Sequence, residues 1–360
     1  MRSENRAIAV GATFTAEAIQ PVMEFWAREL SLGCEVRFAP YNQLFQELLD
    51  PNGLFGRNQG FNVALVRFDD WAQAGIENSA RLFAQAVRET SSRTEAPLIV
   101  AICPTRRSPD ECQRASALLR EATAVLGSVH WLLPEEVEEF YPVAEVHDPH
   151  GDELGHVPYT PLFFAVIATA IARRIHALSS PPFKAIALDC DDTLWAGICG
   201  EDGPQGVTLD APRRALQEFM SARQLEGMLL ALCSKNNEAD VVETFAAHPE
   251  MPLRIEDFAA RRVNWESKGA NLAALAGELG LGLDSFILVD DNPKECTEAE
   301  AGAPDVLALP LPPEPEDIPE FLKHVWAFDR ARTTAEDRER ARMYRQNAER
   351  TRAERSGGNL

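Results

Sequence analysis

The amino-acid sequence predicts an α/β protein built from two doubly wound, Rossmann-like units in tandem. Apolar runs of strand length alternate with longer helical segments through most of the chain, and the alternation starts again after the Ser-Ser-Pro-Pro stretch at 179–182. Such β-α alternation is typical of a parallel sheet with helices on both faces. The 360 residues also suffice for two domains of ordinary size.

The predicted elements follow in chain order. In the first unit, strands are predicted at 6–13, 34–40, 62–68, 97–103 and 128–133, with helices at 16–30, 41–50, 78–90 and 161–178. In the second unit, strands are predicted at 184–190, 228–234, 285–291 and 305–312, with helices at 211–227, 238–248 and 268–280. The predicted domains are therefore 1–180 and 181–328, followed by a basic helix or tail at 329–360.

Composition and charge argue against several classes of protein. The formal net charge of −21 disfavours nucleic acid as the main partner. The seven cysteines show no CxxC and no Cys/His metal spacing, and no signal peptide is apparent, so we expect reduced thiols in the cytoplasm. Because Arg173, Arg174 and His176 interrupt the apolar helix at 161–178, we expect that helix to pack in the core rather than to cross a membrane.

Acidic side chains follow the strands of the second unit at the points where those strands end. These residues are Asp189, Asp191, Asp290 and Asp291. Because ligands of open α/β sheets bind beyond the carboxyl ends of the strands, we expect these carboxylates to meet. Carboxylates so close together need a cation to offset their charge, and Mg²⁺ prefers such oxygen ligands. The sequence predicts a magnesium site here, with Ser234 at another strand end and Lys268 at a helix start beside it.

Four short motifs give the second unit a family resemblance. The stretches LDCDDTLW, LCSKNN, NWESK and LVDDNPKE resemble the four motifs of the haloacid dehalogenase-like phosphatases. The longer stretches DDTLWAGICGEDG, CSKNNEADV, NWESKGANL and DDNPKE are similar to the FkbH branch, the glyceryl transferase/phosphatase proteins of polyketide and nonribosomal peptide pathways. The resemblance extends over about 1–350 and is most specific over 183–310. Cys190 and Asp192 depart from it, since Leu and Asn are usual at these positions.

The resemblance implies a role for each matching residue. Asp189 would attack phosphorus to give an aspartyl phosphate, and Asp191 would act as general acid and then as general base. Ser234 and Lys268 would contact the phosphoryl group. The implied Mg²⁺ ligands are the Asp189 carboxylate, the Asp191 backbone carbonyl and Asp290, with Asp291 as an alternative or supporting residue. Thr193, Trp195 and Asn236 are expected to contact the substrate, beneath a β-hairpin flap at 195–203, and a position in the core is the alternative for Trp195.

The resemblance also implies a substrate and a partner. D-1,3-bisphosphoglycerate would supply a glyceryl group, which loses its phosphate and becomes a thioester on an acyl carrier protein. The acyl transfer needs a thiol, for which Cys233 is the first candidate in this chain and Cys199 and Cys190 are weaker ones. Direct attack by the carrier's phosphopantetheine thiol is the alternative. Carrier proteins are acidic, so the tail at 329–355, with nine Arg against six acidic residues, is the candidate docking segment.

The first unit gives a weaker signal. GATFT at a strand end and the later DPHGDELGH resemble the layout of SGNH-type hydrolases, which place a Ser near the first strand and Asp and His late in the chain. The Ser is absent, since Thr13 and Thr15 stand there. His156 is a candidate for the surviving partner, but a buried structural histidine is the favoured interpretation. We therefore predict that the first unit is not a hydrolase. For the whole chain, a plain phosphatase on a small phosphometabolite or phosphoprotein and a non-catalytic assembly module remain alternative hypotheses.

Overall fold

The computed structural model describes residues 6–330. Its internal contacts divide the chain between His176 and Ala177, close to the predicted boundary at 180. The part before this boundary is called unit 1 below, and the part after it is called unit 2. The tail predicted as a basic helix lies, from 331 onward, outside the described residues.

Unit 1 has one parallel sheet. Its strands are β1 (Ala7–Ala12), β2 (Glu35–Phe38), β3 (Phe61–Val66), β4 (Leu98–Ile102) and β5 (Val129–Leu132). Its helices are α1 (Gln20–Glu29), α2 (Leu44–Leu49), α3 (Leu54–Arg57), α4 (Ile76–Ser91), α5 (Pro109–Thr123), α6 (Pro134–Phe140), α7 (Pro149–Gly155) and α8 (Pro161–Ser179), with 3₁₀ turns at Glu17–Ile19 and Phe68–Ala74. The strand order is β2-β1-β3-β4-β5. After β2 the chain crosses to the other side of β1, so the carboxyl ends of β1 and β3 flank the switch point where such folds bind ligands.

The apolar patterns of unit 1 explain its layers. All six residues of β3 and all five of β4 are buried, as expected for inner strands covered on both faces. Helix α8 is long and apolar enough for a membrane span, but half of its most apolar window is buried within the protein. Its buried face includes Phe164, which lies near Phe14. This burial favours the core packing predicted from the sequence.

Unit 2 repeats the architecture with a different strand order. Its strands are β6 (Ala185–Leu188), β7 (Leu229–Ser234), β8 (Phe258–Val263), β9 (Phe286–Asp290) and β10 (Leu307–Pro310). Its helices are α9 (Cys199–Asp202), α10 (Ala211–Leu225), α11 (Glu238–Ala247), α12 (Lys268–Leu279), α13 (Pro293–Gly302) and α14 (Ile318–His324), with 3₁₀ turns at Ile255–Asp257, Leu283–Ser285, Pro315–Asp317 and Trp326–Phe328. The parallel order β10-β9-β6-β7-β8 places the switch point between β6 and β9.

The structure confirms the predicted fold class, two tandem α/β units with parallel sheets. The sequence analysis missed β8, which is the edge strand beside β7. Its sequence, Phe-Ala-Ala-Arg-Arg-Val, contains two arginines, so it does not form the continuous apolar run that marks an inner strand. At the edge these side chains reach partners on helices, and Arg262 pairs with Glu278 at 2.7 Å.

Candidate active site

The candidate active site lies at the switch point of the unit 2 sheet. Asp189 directly follows β6, and Asp290 is the last residue of β9, the strand that pairs with β6. Ser234 is the last residue of β7, on the other side of β6. Lys268 is the first residue of α12. The fold therefore brings together four predicted residues that are far apart in the sequence.

A fully buried ammonium group organises these residues. Lys268 Nζ lies 2.5 Å from Asp189 Oδ1, 2.8 Å from Asp290 Oδ2 and 3.2 Å from Glu295 Oε2. It also donates a hydrogen bond to the Cys233 carbonyl oxygen at 2.7 Å. Burial alone would lower the pKa of Lys268, but Asp189 and Asp290 raise it above its ordinary value. The side chain therefore stays a cation in a region without solvent.

Local sequence explains why Lys268 reaches this position. The Ser267 side chain accepts a hydrogen bond from Ala270 N and caps α12, so the helix begins at Lys268. The next residue, Gly269, lies against α13: a Cβ on it would fall 2.7 Å from the Gly302 Cα. Since only glycine permits this approach, α12 and α13 pack closely enough for Lys268 and Glu295 to meet.

Glu295 is a site residue that the sequence analysis did not identify. It lies in the first turn of α13, five residues after Asp290 in the stretch DDNPKE that was quoted for the family resemblance. Carboxylate oxygens of Asp189, Asp290 and Glu295 lie within 4.8 Å of one another, which is close enough to share a metal ion. However, the Lys268 ammonium already contacts all three carboxylates. The ammonium group therefore offsets part of the negative charge of these three carboxylates.

Two oxygen-rich positions beside Lys268 lack a full set of partners. Asp290 Oδ2 is buried and has no aligned hydrogen-bond donor among the described residues, although Lys268 Nζ lies 2.8 Å away. Asp291 accepts a hydrogen bond from Thr193 Oγ1 at 3.1 Å, and within residues 6–330 no cationic side chain pairs with it. Burial and the charge of Asp290 raise the pKa of Asp291 to about 6. This excess of carboxylate charge fits a hard cation with oxygen ligands.

Asp189 itself is only slightly accessible, with 12% of its side chain exposed. Burial raises the pKa of its carboxyl group to about 7; the charge of Asp290 adds to this rise, and Lys268 and Ser234 oppose it. One oxygen is bound to the Lys268 ammonium. The Asp189 carboxyl group therefore has a fixed orientation at the end of an inner strand.

Asp191 is held by three hydrogen bonds. Its Oδ1 accepts from Trp195 Nε1 at 2.9 Å and from the Cys199 backbone N at 3.0 Å. Its Oδ2 accepts from Asn236 Nδ2 at 2.7 Å. The Cys199 thiol lies 3.7 Å from the Asn236 Oδ1, which orients the amide so that its NH₂ group faces Asp191. These contacts fix the second predicted catalytic carboxylate to the segment that follows it.

The three residues expected to contact the substrate hydrogen-bond to acidic residues of the site. Thr193 and Trp195 are 0% exposed and Asn236 is 4% exposed. Thr193 binds Asp291, Trp195 and Asn236 donate to Asp191, and the Trp195 ring packs edge-on against Phe245 with 5.4 Å between ring centroids. Contact of these side chains with a substrate stays a prediction.

The flap also differs from the predicted β-hairpin at 195–203. A short bridge joins Ala196 to Thr208, and the segment between them contains one helical turn, α9. Gly197 adopts a φ of +100°, and the Asp202 side chain accepts from Ile198 N at 2.9 Å. These local side-chain contacts satisfy backbone groups that a hairpin would have paired across strands.

The structure offers no reactive thiolate in the chain. Cys233, the first candidate nucleophile, is fully buried in an apolar cluster, and burial raises its pKa to about 12 despite the nearby Lys268. Burial raises the pKa of Cys199 to about 12 and that of Cys190 further above its ordinary value. All seven cysteines are free, and the pKa of each is raised. These shifts disfavour the thiolate form of the cysteines.

Comparison with known proteins supports the fold. No protein-family model matches the chain, and no curated protein sequence matches it. A solved structure, the N-terminal part of the protein BF1531 from Bacteroides fragilis, containing a phosphatase domain and complexed with Mg, is similar with a TM-score of 0.76. The two chains are 20% identical, and the match covers 91% of this chain and 94% of that chain. At this identity the similarity establishes a shared fold across both units.

Proposed function

We propose that unit 2 is a Mg²⁺-dependent phosphatase of the haloacid dehalogenase type, with Asp189 as its nucleophile. The main support is the geometry of Lys268, a fully buried cation that fixes Asp189 at a strand end. The resemblance of the four motifs adds to this, as does the similar structure, which contains a phosphatase domain and was complexed with Mg. If these charged residues served only as structural ion pairs, no further carboxylate would be needed at position 291.

The unpartnered oxygens decide which residues would hold the metal. Asp189 and Asp290 both contact Lys268, whereas Asp291 pairs with no cationic side chain within residues 6–330, so we add Asp291 to the metal ligands in preference to Asp290. Mg²⁺ would thus be held by Asp189, the Asp191 backbone carbonyl and Asp291, which revises the order of preference that the sequence suggested. When bound, the ion would neutralise charge on the phosphoryl group.

The protein residues would then divide the phosphoryl transfer among themselves. Asp189 attacks phosphorus, and the bond to the leaving oxygen breaks while a phosphoryl–aspartate bond forms. Lys268 stays against Asp189 and offsets the negative charge that gathers there. Ser234 donates to a phosphoryl oxygen. Asp191 gives a proton to the leaving oxygen and later accepts one from the water that releases phosphate.

We further propose that the substrate is D-1,3-bisphosphoglycerate and that the glyceryl group is loaded on an acyl carrier protein. This finer assignment is supported by the FkbH-like motifs. The raised pKa values of all seven cysteines favour direct attack by the carrier's phosphopantetheine thiol over a covalent intermediate on Cys233. The free cysteines fit a cytoplasmic protein.

The raised pKa values of the cysteines also fit a second candidate function, a plain phosphatase, because that reaction involves no acyl transfer and needs no thiol. Intact-protein mass spectrometry separates the two. The chain is incubated with D-1,3-bisphosphoglycerate, Mg²⁺ and a phosphopantetheinylated carrier protein. A glyceryl mass increase on the carrier supports the transferase. Phosphate release with an unmodified carrier supports the plain phosphatase and excludes loading of that carrier.

A structural experiment tests the phosphatase proposal itself. Crystals soaked with fluoroberyllate and Mg²⁺ should show beryllium bound to an Asp189 oxygen and the cation in contact with Asp291. Fluoroberyllate that binds elsewhere, together with a Lys268 that has left Asp189, would rule out the aspartyl-phosphate mechanism.

A further inference from the structure

Unit 1 contains a second cluster of polar side chains, at the switch point of its own sheet. We call it the His156 cluster, and its members are Thr13, Tyr41, Arg67, Asp70, Asp152 and His156. Thr13 follows β1, and Arg67 and Asp70 follow β3, the strand that pairs with β1. The position is the one where doubly wound sheets bind ligands. Neither the phosphatase mechanism nor its metal involves any of these residues.

Asp70 orients the imidazole ring. Its Oδ1 lies 2.8 Å from His156 Nε2 and 2.5 Å from the Arg67 guanidinium. Of the imidazole–carboxylate pairs at His156, His248 and His324, only that of His156 has a buried carboxylate: the Asp70 side chain is 9% exposed, compared with 49% and 61% for the other two acids. Because the Asp70 carboxylate can accept a hydrogen bond from Nε2, we assign the ring proton to that nitrogen and the lone pair to Nδ1.

Arg67 also approaches the ring, at 2.8 Å from Nε2. Its guanidinium contacts Asp70 and also Asp152 at 2.8 Å; with the ring proton on Nε2, the guanidinium and the ring both donate to Asp70 Oδ1. Two carboxylates thus face one arginine, so a proton taken up by the ring would meet net negative charge. The arrangement suits a group that becomes a cation during a reaction.

The basic nitrogen already has a hydroxyl group in front of it. Tyr41 OH lies 2.7 Å from His156 Nδ1, and Tyr41 is 56% exposed, so the hydroxyl is free to leave towards solvent. The His156 side chain is itself 27% exposed. An external O–H or S–H group could therefore take the place of the tyrosine hydroxyl.

The backbone of His156 adopts an energetically unfavourable conformation. His156 has a φ of +54°, a left-handed conformation that is uncommon for a residue other than glycine. It is held there by the hydrogen bond from Thr15 N to the His156 carbonyl oxygen at 2.9 Å and by the bond from Thr15 Oγ1 to Gly155 O at 2.7 Å. Residues kept in such conformations by surrounding contacts concentrate at functional sites.

The cluster provides a base but no nucleophile. The Thr13 hydroxyl donates to Asp70 Oδ2 at 2.7 Å, and the Thr15 hydroxyl donates to Gly155, so neither is directed at the imidazole. The nucleophile would then be supplied by a ligand, which agrees with the raised thiol pKa values of the chain.

From these observations we infer that His156 is a general base for an incoming alkyl thiol, and that unit 1 hosts the acyl-transfer step while unit 2 cleaves the phosphate monoester. The inference rests on the proposed transferase function. His156 Nδ1 takes the S–H proton, and the sulfur forms a bond to the carbonyl carbon of the acyl phosphate. The bond between that carbon and the phosphate oxygen breaks, and the departing phosphate receives the proton from the imidazolium.

The test measures both activities on the full chain. D-1,3-bisphosphoglycerate is the acyl donor, free pantetheine is the acceptor, and p-nitrophenyl phosphate reports on unit 2. We expect His156→Gln to lower thioester formation by about 10²-fold or more, since general-base catalysis contributes that much, and to leave phosphate-ester cleavage within about twofold. The matched control is His150→Gln, an exposed histidine of α7 that should change neither activity.

Two further measurements distinguish a base from a structural residue. An acidic aryl thiol, 5-thio-2-nitrobenzoate, is already a thiolate at neutral pH, so the His156→Gln defect should shrink to less than about tenfold with it. Tyr41→Phe should keep at least wild-type thioester formation, because the hydroxyl that occupies Nδ1 is gone. Equal defects with both thiols, or a Tyr41→Phe loss as large as that of His156→Gln, would overturn the inference.

The remaining outcomes separate this inference from the proposed function. Wild-type rates of thioester formation by His156→Gln would reject the base and leave the transferase intact. A wild-type protein that cleaves p-nitrophenyl phosphate and yet forms no thioester with either thiol would reject the transferase, and the acyl-transfer role of unit 1 with it.

Discussion

The two units place a buried cation among carboxylates at the same point of the same kind of sheet. In unit 2 the cation is Lys268, which contacts Asp189 and Asp290. In unit 1 it is Arg67, which contacts Asp70 and Asp152. Both positions follow from the strand order, since the carboxyl ends of the strands beside a switch point converge on one crevice.

The two units differ in the acidic groups and contacts that remain once the buried cation has paired with its carboxylates. In unit 2 a further carboxylate, Asp291, has a pKa raised to about 6 and no cationic partner within residues 6–330. In unit 1 the remaining contacts of Asp70 go to Thr13 and His156. Similar scaffolds thus support different chemistry: an excess of negative charge suits a metal and a phosphoryl group, and an oriented imidazole suits proton transfer.

The largest expected effect concerns the carboxylate proposed as the nucleophile. Asp189→Asn should lower phosphate-ester cleavage by about 10⁴-fold or more, because an amide cannot form the covalent intermediate. Phosphate release under single-turnover conditions measures this loss. The control is Asp192→Asn, which makes the same change in the same loop, where Asn tolerates the φ of +53° and keeps the oxygen that accepts from Gly197 N. A full loss in the control would contradict the assignment.

The second-largest expected effect is the loss of unfolding free energy when either buried cation, Lys268 or Arg67, is replaced. Lys268→Met leaves buried carboxylates without their cation and should cost about 3–5 kcal/mol of unfolding free energy. Arg67→Met should cost less, since Asp152 is 26% exposed and Asp70 keeps its bonds to Thr13 and His156. Hydrogen exchange of β6 and β1 amides reads the two units separately.

A surface lysine provides the control for this comparison. Lys235→Met removes a partly exposed partner of Glu298 and should cost less than about 1 kcal/mol. Equal losses at Lys268 and Lys235 would show that burial of the ammonium group does not set the stability of unit 2.

The third effect tests whether Asn236 positions Asp191. Asn236→Ala should slow cleavage of an alkyl phosphate by about 10²-fold, since a poor leaving group needs the general acid. Cleavage of p-nitrophenyl phosphate should fall by less than about tenfold, because nitrophenolate leaves without a proton. Asn237→Ala, which removes the N-cap of α11 but no contact to Asp191, should lower the melting temperature and leave the ratio of the two rates unchanged. An equal loss on both esters would assign Asn236 a structural role only.

The smallest effect is a pH dependence of stability in the absence of metal. The folded-state pKa of Asp291, about 6, lies above the ordinary value of 3.8. Its stabilising contribution is therefore fully present below about pH 4 and is lost as the pH rises through about 6. In EDTA, the melting temperature of the wild type should fall by a few degrees relative to Asp291→Asn between pH 5 and pH 7. Mg²⁺ should restore it above pH 6 in the wild type alone; identical curves for the two proteins would contradict the assigned metal ligand.

Much of the site could be predicted from the sequence, because the end of an apolar run marks the end of a strand and so identifies the residues there. Asp189, Ser234 and Asp290 lie where the alternation of strands and helices placed them. Glu295 was missed because a glutamate in the first turn of a helix is common without function. Trp195 and Asn236 were expected near the substrate, but their burial and their contacts to Asp191 depend on the path of the flap, which local sequence does not determine.

The sequence by itself determined the two α/β units and the identity of the acidic side chains at the strand ends, because apolar periodicity and turn residues act over short distances. Three features were decided only by the tertiary structure. Lys268 is surrounded by three carboxylates, and Asp70 faces His156. Asp291 has no cationic partner within residues 6–330. Those contacts join segments far apart in the chain. Their geometry depends on strand order and helix packing, which the pattern of any single segment does not contain.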